Sequence, residues 1–586
     1  MSPTRPELSG SFGMASATHW LAAASAMSIL ERGGNAFDAA VAGGLVLQVV
    51  EPHLNGPGGE VPILIHRGAT GEISLLCGQG PIPSGASVSA VRDLGLTQVP
   101  GTGMLAVCVP GAFGAWMTLL EQFGRLSLEE VMAPALRYAR GGFRLLPRAA
   151  ATIAAQRQNF LDHWPTSAQV YLDHGQAPAG NSQWRNLLLA ETYERILSEA
   201  TAGEGDRDRQ IDRARRVFYE GFVAERMADF VQNHESMDES GAPHSGFLTG
   251  DDLADWRPSL ERPLSLAYKG KTIYKAGPWS QGPVFLQQLK ILEGFDLDSL
   301  DPTSAEYIHT VVESAKLCFA DRDAYYGDPE AVSIPMEQLL SSTYAEERRR
   351  LIEHTASLEF RPGIAGDRGP WVPDPQLVGG VEGVGAGAPP DPIGRDTCHI
   401  DVVDAEGNVV SATPSGGWLH GGPCVPELGF SLSTRAQMGW LDDRSPSAYV
   451  GGRRPRTTLS PSLVVDDDGR VTGFGTPGGD QQDQWSFLFF LRRIHGQRDL
   501  QEAIDTPTFH ISHLYSSFYP RTILHGRINV EGRISPEVVA ELRERGHDVV
   551  VDGRWSLGRV CAVSFYRGEL TAGSDPRQDQ AYAVGR

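Results

Sequence analysis

The sequence predicts an α/β protein built in layers, because two helices and then a strand hairpin follow one another near its start. Residues 20–32 carry apolar side chains at helical spacing, and the Gly33-Gly34 pair is typical of a helix end. Asn35, followed three positions later by Asp38, predicts a capping box that opens a second helix. The small residues of the second helix favour tight burial, so both helices are interpreted as core elements.

Two strands are predicted directly after these helices. The segment EPHLNGPGGEVPILIHR is a Gly/Pro turn that runs into an apolar strand, and GEISLLCGQGP gives a second strand after a short turn. From about Gly111 to Phe360 the pattern is mostly helical, and the charged stretch at 203–216 predicts a solvated loop or helix face.

The bulk composition excludes some classes of function. The chain has 586 residues and a formal net charge of -21, which argues against a nucleic acid or an anionic membrane surface as its main partner. Its six cysteines include no CxxC pair, so neither a zinc site nor a dense disulfide framework is suggested. The length allows a large core or two intertwined units.

The chain shows no sign of export or of a membrane span. The first residues, MSPTRPELSGSFG, lack the apolar core of a secretory signal, and the apolar stretch at 39–50 is well short of the ~20 residues that cross a bilayer. The sequence therefore predicts a cytoplasmic protein with reduced thiols, or a periplasmic one if the true start of the chain differs.

An abrupt change of composition occurs between about residues 361 and 396. This segment is dominated by Gly, Pro and Asp, which neither helix nor strand tolerates well, so it is interpreted as a linker or mobile loop. TCHIDVVD and NVVSAT follow it, joined by AEG, and predict a hairpin that starts at Thr397. A mobile segment therefore meets an ordered strand at the Asp396-Thr397 junction.

This junction has what autocatalytic cleavage requires. Attack by the Thr397 hydroxyl on the preceding carbonyl would give an ester, and water would release a new N-terminal threonine. The α-amino group of that threonine, with a reference pKa of ~7.7 to 8.0, can serve as the base for its own hydroxyl. Taken alone, however, a threonine that opens a hairpin is more often an ordinary β-branched strand residue.

Five separated segments change that interpretation, because in this order they resemble signatures of the gamma-glutamyltranspeptidase family over nearly the whole chain. GMASATHWLAAASAMSILERGGNAFDAAVAGGLVLQVVEPHLNGPGG resembles the N-terminal signature, and KLCFADRDAYYGDP resembles the mid-chain helix. TCHIDVVDAEGNVVSAT resembles the nucleophile hairpin, RPRTTLSPSLVV the substrate-binding turn and GFGTPGGD the glycine loop.

The resemblance implies a four-layer αββα sandwich of the N-terminal nucleophile hydrolase type. It implies a large subunit of residues 1–396 and a small subunit of residues 397–586, which remain intertwined after the cut. Thr397 matches the nucleophile, and Ser415 matches a hydroxyl residue that hydrogen-bonds it. Gly478 and Gly479 match the pair whose backbone amides stabilise the oxyanion.

The substrate pocket departs from the family pattern. Thr457 and Thr458 match a Ser-Ser pair that binds substrate carboxylate, so hydroxyl donors persist there. Gln79, however, stands where the family has a carboxylate-binding arginine, and a neutral amide cannot replace a bidentate cation. Gly417 stands where an asparagine is expected. These changes predict that the chemistry is kept while substrate recognition is altered.

The stretch at 433–438, Ser-Thr-Arg-Ala-Gln-Met, replaces the family's Asn-Asn-Gln-Met-Asp-Asp, so the acidic partner of a substrate ammonium is lost. Arg435 either binds an anionic acyl group or forms a structural ion pair, and Gln437 is a further candidate for substrate binding. The residues at 480–483, Asp-Gln-Gln-Asp, resemble the oxamate amidohydrolase-like branch.

The two residues after Thr397 have separate predictions. Cys398 is predicted to pack in the core, and His399 is either a pocket residue or a structural histidine.

Three hypotheses follow. The first is a self-processing amidohydrolase or acyltransferase acting on a small carboxylate-bearing amide. The second is a conventional gamma-glutamyl hydrolase/transpeptidase that acts on glutathione. The third is a binding protein of the same fold that does not mature. None of them implies a metal or an organic cofactor. The expected partners are a small-molecule amide substrate and the two subunits of one precursor, and the sequence leaves open whether processed copies associate into a homo-oligomer.

Overall fold

The centre of the protein is a pair of seven-stranded antiparallel sheets. The structure is a computed structural model that describes residues 3–379, 381–382, 397–577 and 580–586. Sheet I consists, in spatial order, of Tyr582–Gly585, Gly13–Ala17, Ile400–Asp404, Val409–Ala412, Val61–His66, Ile73–Gly78 and Ser259–Glu261. Sheet II consists of Leu8–Gly10, Glu569–Ser574, Cys561–Tyr566, Val471–Gly475, Ser462–Asp466, Lys271–Lys275 and Leu264–Tyr268.

Three apolar layers separate four layers of secondary structure. The middle layer lies between the sheets and joins side chains such as Leu64 and Val403 of sheet I to Leu463 and Val563 of sheet II. The outer layers lie between each sheet and its helices. This arrangement is a four-layer αββα sandwich, so the predicted fold class is confirmed.

Two sets of helices form the outer layers. Against sheet I lie Trp20–Glu31, Ala36–Val50, Ala112–Phe123, Leu128–Gly141, Pro147–Asp162, Pro165–Tyr171, Leu187–Thr201, Arg207–Tyr219, Phe222–Asn233 and Gly250–Asp255. Against sheet II lie Gly282–Leu292, Ala305–Tyr325, Met336–Leu339, Ser342–Arg349, Gln482–Ile494, Leu500–Asp505 and Pro536–Glu544.

Smaller elements complete the described part of the chain. They are the helix Val88–Arg92, the 3-10 helices Leu297–Ser299, Pro375–Leu377, Arg435–Met438 and Gly479–Gln481, the three-stranded sheet Phe509–Ile511, Arg527–Glu531 and Asp548–Asp552, and the strand pairs Val381–Glu382 with Ile523–Leu524, Phe143–Arg144 with Gln183–Trp184 and Ser236–Met237 with Pro243–His244.

The predicted start of the fold is confirmed in detail. The first helix ends at Glu31, and Gly33 has a φ of 92°, as a glycine-terminated helix requires. Asn35 and Asp38 form the reciprocal capping box at the start of the second helix. The charged stretch at 203–216 contributes the first three turns of the helix Arg207–Tyr219, whose apolar side packs on the core.

The hairpin that follows Thr397 lies at the centre of sheet I. Its strands Ile400–Asp404 and Val409–Ala412 pair antiparallel, with Val403 opposite Val409. Thr397 precedes the first strand and forms an isolated antiparallel bridge with Ser415. The pairing therefore holds the backbone of Thr397 against the buried interior.

The Gly/Pro-rich segment is only partly within the described residues. In its first part, Trp371 is buried and its ring lies 5.0 Å from that of Trp440. Residue 380 and residues 383–396, including Asp396 of the predicted cleavage site, lie outside the described residues.

Two further properties concern the side chains and the helices. All six cysteines are buried, and none forms a disulfide. Within the described ranges, no helix has both the length and the apolar character needed to cross a membrane.

Candidate active site

The hydroxyl of Thr397 lies at the centre of a buried hydrogen-bond network. Only 2% of Thr397 is exposed, and its Oγ1 lies 3.2 Å from the Oγ of Ser415. The Nε2 of Gln482 donates a hydrogen bond of 3.3 Å to the same Thr397 oxygen. Two polar side chains from different parts of the chain therefore converge on the predicted nucleophile.

Ser415 is held from its other side by a buried ion pair. Its Oγ accepts a hydrogen bond of 2.9 Å from the Nη2 of Arg435, whose Nε donates to Glu60 Oε1 at 2.6 Å. Ser433 also donates to Glu60, through its Oγ. Burial raises the pKa of Glu60, and the guanidinium of Arg435 opposes that shift.

The orientation of the Gln482 amide is fixed by its second hydrogen bond. The Oε1 of Gln482 accepts from the backbone N–H of Ser460 at 3.0 Å. Because a backbone N–H can only donate, the carbonyl end of the amide faces Ser460 and its NH₂ end faces Thr397. Gln482 therefore acts on the Thr397 hydroxyl as a donor.

Gln482 follows the glycine loop at Gly478-Gly479. Both glycines have positive φ, at 123° and 56°, which side chains with a Cβ rarely adopt. A Cβ on Gly478 would lie 2.4 Å from the ring of Trp485. Position 478 therefore requires glycine, and the tight turn of the loop places the start of the helix Gln482–Ile494 beside Thr397.

Buried ion pairs fix this loop on both sides. Lys275 Nζ lies 2.8 Å from Asp483 Oδ1, and neither side chain is exposed. Asp480 accepts hydrogen bonds from Arg322 and from the backbone and hydroxyl of Ser517. Burial favours a raised pKa for Asp480, but Arg322 and other cations outweigh it and hold that pKa below its ordinary value.

Comparisons with known proteins agree with this fold and identify the family. The family model described as Gamma-glutamyltranspeptidase matches residues 22–585. The chain belongs to the gamma-glutamyltranspeptidase family.

Individual proteins agree with this assignment. The chain is 30% identical to the glutathione hydrolase-like YwrD proenzyme of Bacillus subtilis, over 98% of this chain and 99% of that protein. It is also 30% identical to the oxamate amidohydrolase proenzyme of Klebsiella pneumoniae, over 97% of this chain and 98% of that protein. The chain in the solved structure of LmbA2991HD has 50% sequence identity to this chain, and the two superpose with a TM-score of 0.95 over the full length of both.

The chain is therefore an enzyme of the gamma-glutamyltranspeptidase family. The residues predicted to bind substrate can now be placed relative to Thr397, the predicted nucleophile. Thr457 and Thr458 belong to the segment that ends at Ser460, whose backbone N–H binds Gln482. Thr457 Oγ1 accepts from the N–H of Leu459 at 3.4 Å. Thr458 Oγ1 is buried and has no hydrogen-bond partner among the described residues.

The two predicted glutamine ligands are held by different neighbours. Gln79 donates through Nε2 to the carbonyl of the adjacent Gly80, and its Oε1 is buried without a partner in the described part of the chain. Gln437 donates through Nε2 to the carbonyls of Gly101 and Thr434. The amide of Gln437 thus ties loops together, and its role toward substrate stays a prediction.

The residues that follow Thr397 alternate between the two faces of sheet I, as expected for extended backbone. Cys398 packs in the core on the helical side, where its Sγ contacts Glu51 and Asn55. His399 is fully buried, and its ring nitrogens lie 2.9 Å from Thr413 Oγ1 and from Asp401 Oδ1. Of the two interpretations of His399, the structure favours the structural histidine.

One group of side chains in the described ranges has the composition of a metal site. His309, Glu313 and His547 bring one ligand atom each to within 4.8 Å of one another. Lys316 and Arg361 already bind the Glu313 carboxylate, and the two imidazoles hydrogen-bond each other. This group is part of the core against sheet II and contributes nothing to the Thr397 network.

Two residues of the network, Glu60 and Gln482, are not among the site residues that the sequence predicts. Glu60 stands at the head of the apolar strand Val61–His66, where a single acid in a buried run is the available signal. Gln482 is a polar residue in the first turn of a helix after a glycine loop, which is a weaker signal. Its contact with Thr397, 85 residues away along the chain, becomes visible only in the folded protein.

Proposed function

We propose that the chain is a proenzyme that cleaves itself before Thr397 and then hydrolyses the amide bond of a small carboxylate-bearing substrate. The observation that carries this proposal is the buried Thr397 hydroxyl, with Ser415 Oγ at 3.2 Å and the Gln482 amide donating to it. The relatives named as proenzymes support self-processing, and the one named oxamate amidohydrolase supports amide hydrolysis.

Self-cleavage would proceed by an acyl shift from nitrogen to oxygen. Thr397 Oγ1 attacks the carbonyl carbon of the preceding residue, the C–N bond breaks, and the hydroxyl proton passes to the departing amide nitrogen. The product is an ester on Oγ1 and a free α-amino group on Thr397. Water then hydrolyses the ester and leaves a carboxylate at the end of the large subunit and a hydroxyl on Thr397.

Turnover would repeat the same chemistry on an external amide. The α-amino group of Thr397 takes the proton from Oγ1 as the oxygen attacks the substrate carbonyl, and it then protonates the amine that leaves. Water hydrolyses the acyl ester to a carboxylic acid. The Gly478-Gly479 loop is the expected source of backbone N–H groups for the oxyanion of each tetrahedral intermediate.

The chemistry of the pocket supports a carboxylate on the substrate. The buried hydroxyl of Thr458 has no partner among the described residues, although buried polar groups are almost always hydrogen-bonded. A hydroxyl can donate to a carboxylate, and the neighbouring Thr457 supplies a second hydroxyl in the same segment. Recognition by neutral donors is also consistent with Gln79 standing where the family has an arginine.

A panel of amides tests this proposal. Oxamate, monoamides of dicarboxylic acids, their uncharged esters and a γ-glutamyl anilide would be incubated with the matured protein, and products would be measured by mass spectrometry. We expect hydrolysis of the carboxylate-bearing amides and little of their esters.

Thr458→Val, which keeps the shape and removes the hydroxyl, is the matched variant. It is expected to raise KM for the carboxylate-bearing amides and to leave maturation unchanged. Activity confined to γ-glutamyl compounds, with efficient transfer to dipeptides, would instead support a conventional gamma-glutamyl hydrolase/transpeptidase.

A further inference from the structure

The buried ion pair of Glu60 and Arg435 is linked to Thr397 through the hydroxyl of Ser415. Arg435 is 0% exposed, and its Nε binds Glu60 while its Nη2 donates to Ser415. The guanidinium carbon lies 5.0 Å from the ring centre of Trp418 and 5.9 Å from that of Phe518. The carboxylate and the two rings thus fix the position and plane of the guanidinium.

We infer that Arg435 is a positioning residue that acts on Thr397 through Ser415. This inference rests on the proposed function, because it requires Thr397 to be the nucleophile. The chain of contacts runs from Glu60 through Arg435 and Ser415 to Thr397, at 2.6, 2.9 and 3.2 Å. It gives Arg435 a different role from that of a substrate ligand.

The physical reason is the direction of the hydrogen bonds. A guanidinium has only donors, so Ser415 must accept from Arg435. Accepting a charge-assisted bond makes the Ser415 oxygen a poorer acceptor and its O–H a stronger donor. The serine proton is therefore directed toward Thr397 Oγ1, where negative charge develops as that oxygen loses its own proton.

The same geometry explains why the cation is paired with Glu60. An unpaired guanidinium would carry a large desolvation penalty in this interior. Its attraction to the Glu60 carboxylate offsets that penalty. Glu60 also accepts from Ser433, which leaves the carboxylate in a single orientation. Glu60 therefore holds Arg435 in place and prevents it from turning away from Ser415.

The test measures maturation, because self-cleavage involves no external substrate. The test uses the double variant Glu60→Gln/Arg435→Met, which removes both charges and therefore leaves neither charge buried without its partner. The rate of self-cleavage after synthesis would be measured for the wild type and the double variant, each with and without Ser415→Ala. Thermal unfolding would show that each variant is folded. We expect the double change to slow cleavage by about tenfold or more when Ser415 is present. With Ser415→Ala we expect a further change of about twofold or less, since the contribution of Arg435 passes through that hydroxyl.

Two results would overturn the inference. Equal slowing in both backgrounds would show that the pair supports only the fold. Normal cleavage together with a raised KM for anionic substrates would show that Arg435 is a substrate ligand. A wild-type chain that does not cleave would instead contradict the proposed function itself, so the two failures are distinguishable.

Discussion

Gln482 donates a hydrogen bond to Thr397 across 85 residues of sequence, with Nε2 lying 3.3 Å from Oγ1. The amide cannot reverse without losing the backbone N–H of Ser460 from its Oε1. Together with Ser415, this donor holds the Thr397 hydroxyl in one buried position. The hydroxyl of the predicted nucleophile is thus oriented by side chains from two distant parts of the chain.

Removal of this donor is expected to slow both self-cleavage and turnover. Gln482→Glu keeps the shape of the side chain but, when ionised, has no N–H to donate to Thr397 and adds repulsion as charge develops there. We expect a loss of about tenfold to a hundredfold in kcat, in the range found when one donor to a developing oxyanion is removed.

Single-turnover kinetics of the matured variant and the rate of precursor cleavage would be compared. Gln481→Glu, at a partly exposed neighbouring position, is the control for added charge. Wild-type rates for Gln482→Glu would exclude a role for this hydrogen bond.

The glycine loop is expected to tolerate no side chain at Gly478. In Gly478→Ala the alanine would be strained by the positive φ at this position, and its Cβ would lie 2.4 Å from the Trp485 ring. Gly71→Ala is the matched control, because Gly71 has a φ of 69° and open space around the added atom.

Gly71→Ala should cost about 1 to 2 kcal/mol from backbone strain. Gly478→Ala should cost more, because its φ of 123° lies outside the left-handed region that alanine can adopt. Only Gly478→Ala should lose activity as well. Thermal unfolding and amidase assays of the two variants separate these effects, and equal activity would contradict the requirement for glycine.

The ion pair beside Gln482 is expected to contribute strongly to the stability of the loop. Lys275→Met would leave the Asp483 carboxylate buried and unpaired, at a cost of about 3 to 5 kcal/mol in the free energy of unfolding. Lys275→Met/Asp483→Leu removes both charges and should recover much of that loss.

Urea denaturation at pH 7 measures both variants. A double variant as unstable as the single one would show that the Lys275 side chain stabilises the protein by packing and not by neutralising Asp483.

The sequence predicts more of the fold than of the candidate site. The capping box at Asn35, the glycine after the first helix and the hairpin after Thr397 are local patterns, and each was predictable from residues a few positions apart. The four-layer arrangement followed only from the family resemblance, because no local pattern determines how two sheets stack.

The site depends on contacts that no local pattern encodes. Glu60 and Arg435 are 375 residues apart, so a buried pair between them could not be recognised from either segment alone. The sequence leaves the role of Arg435 open between binding an anionic acyl group and forming a structural ion pair. Its carboxylate partner, Glu60, is visible only in the folded protein. The ring of His399 is likewise identified as structural by its neighbours Thr413 and Asp401.

Acid is expected to destabilise the protein through neutral buried histidines such as His19. Its Nδ1 accepts the backbone N–H of Leu21 at the start of the first helix, and burial lowers its pKa to about 3. The unfolded chain binds a proton below a pKa of about 6.5 that the folded chain does not bind. Stability is therefore fully present above that pH and falls as the pH falls from about 6.5 toward 3.

His19→Asn keeps a helix-capping acceptor and removes the titrating group. We expect the free energy of unfolding to depend on pH less steeply in this variant, by about 1.4 kcal/mol per pH unit between pH 6 and 4. Chemical denaturation across this range gives the slope. An unchanged slope would show that His19 is protonated in the folded protein.

The central claim is that Thr397 becomes the N-terminal residue and the nucleophile. Intact-mass spectrometry of freshly purified protein, with N-terminal sequencing of its smaller chain, tests it most directly. We expect two chains, the smaller beginning Thr-Cys-His-Ile, and a single uncut chain for Thr397→Ala. A wild-type chain that stays intact for days, or a cut at another position, would contradict the account.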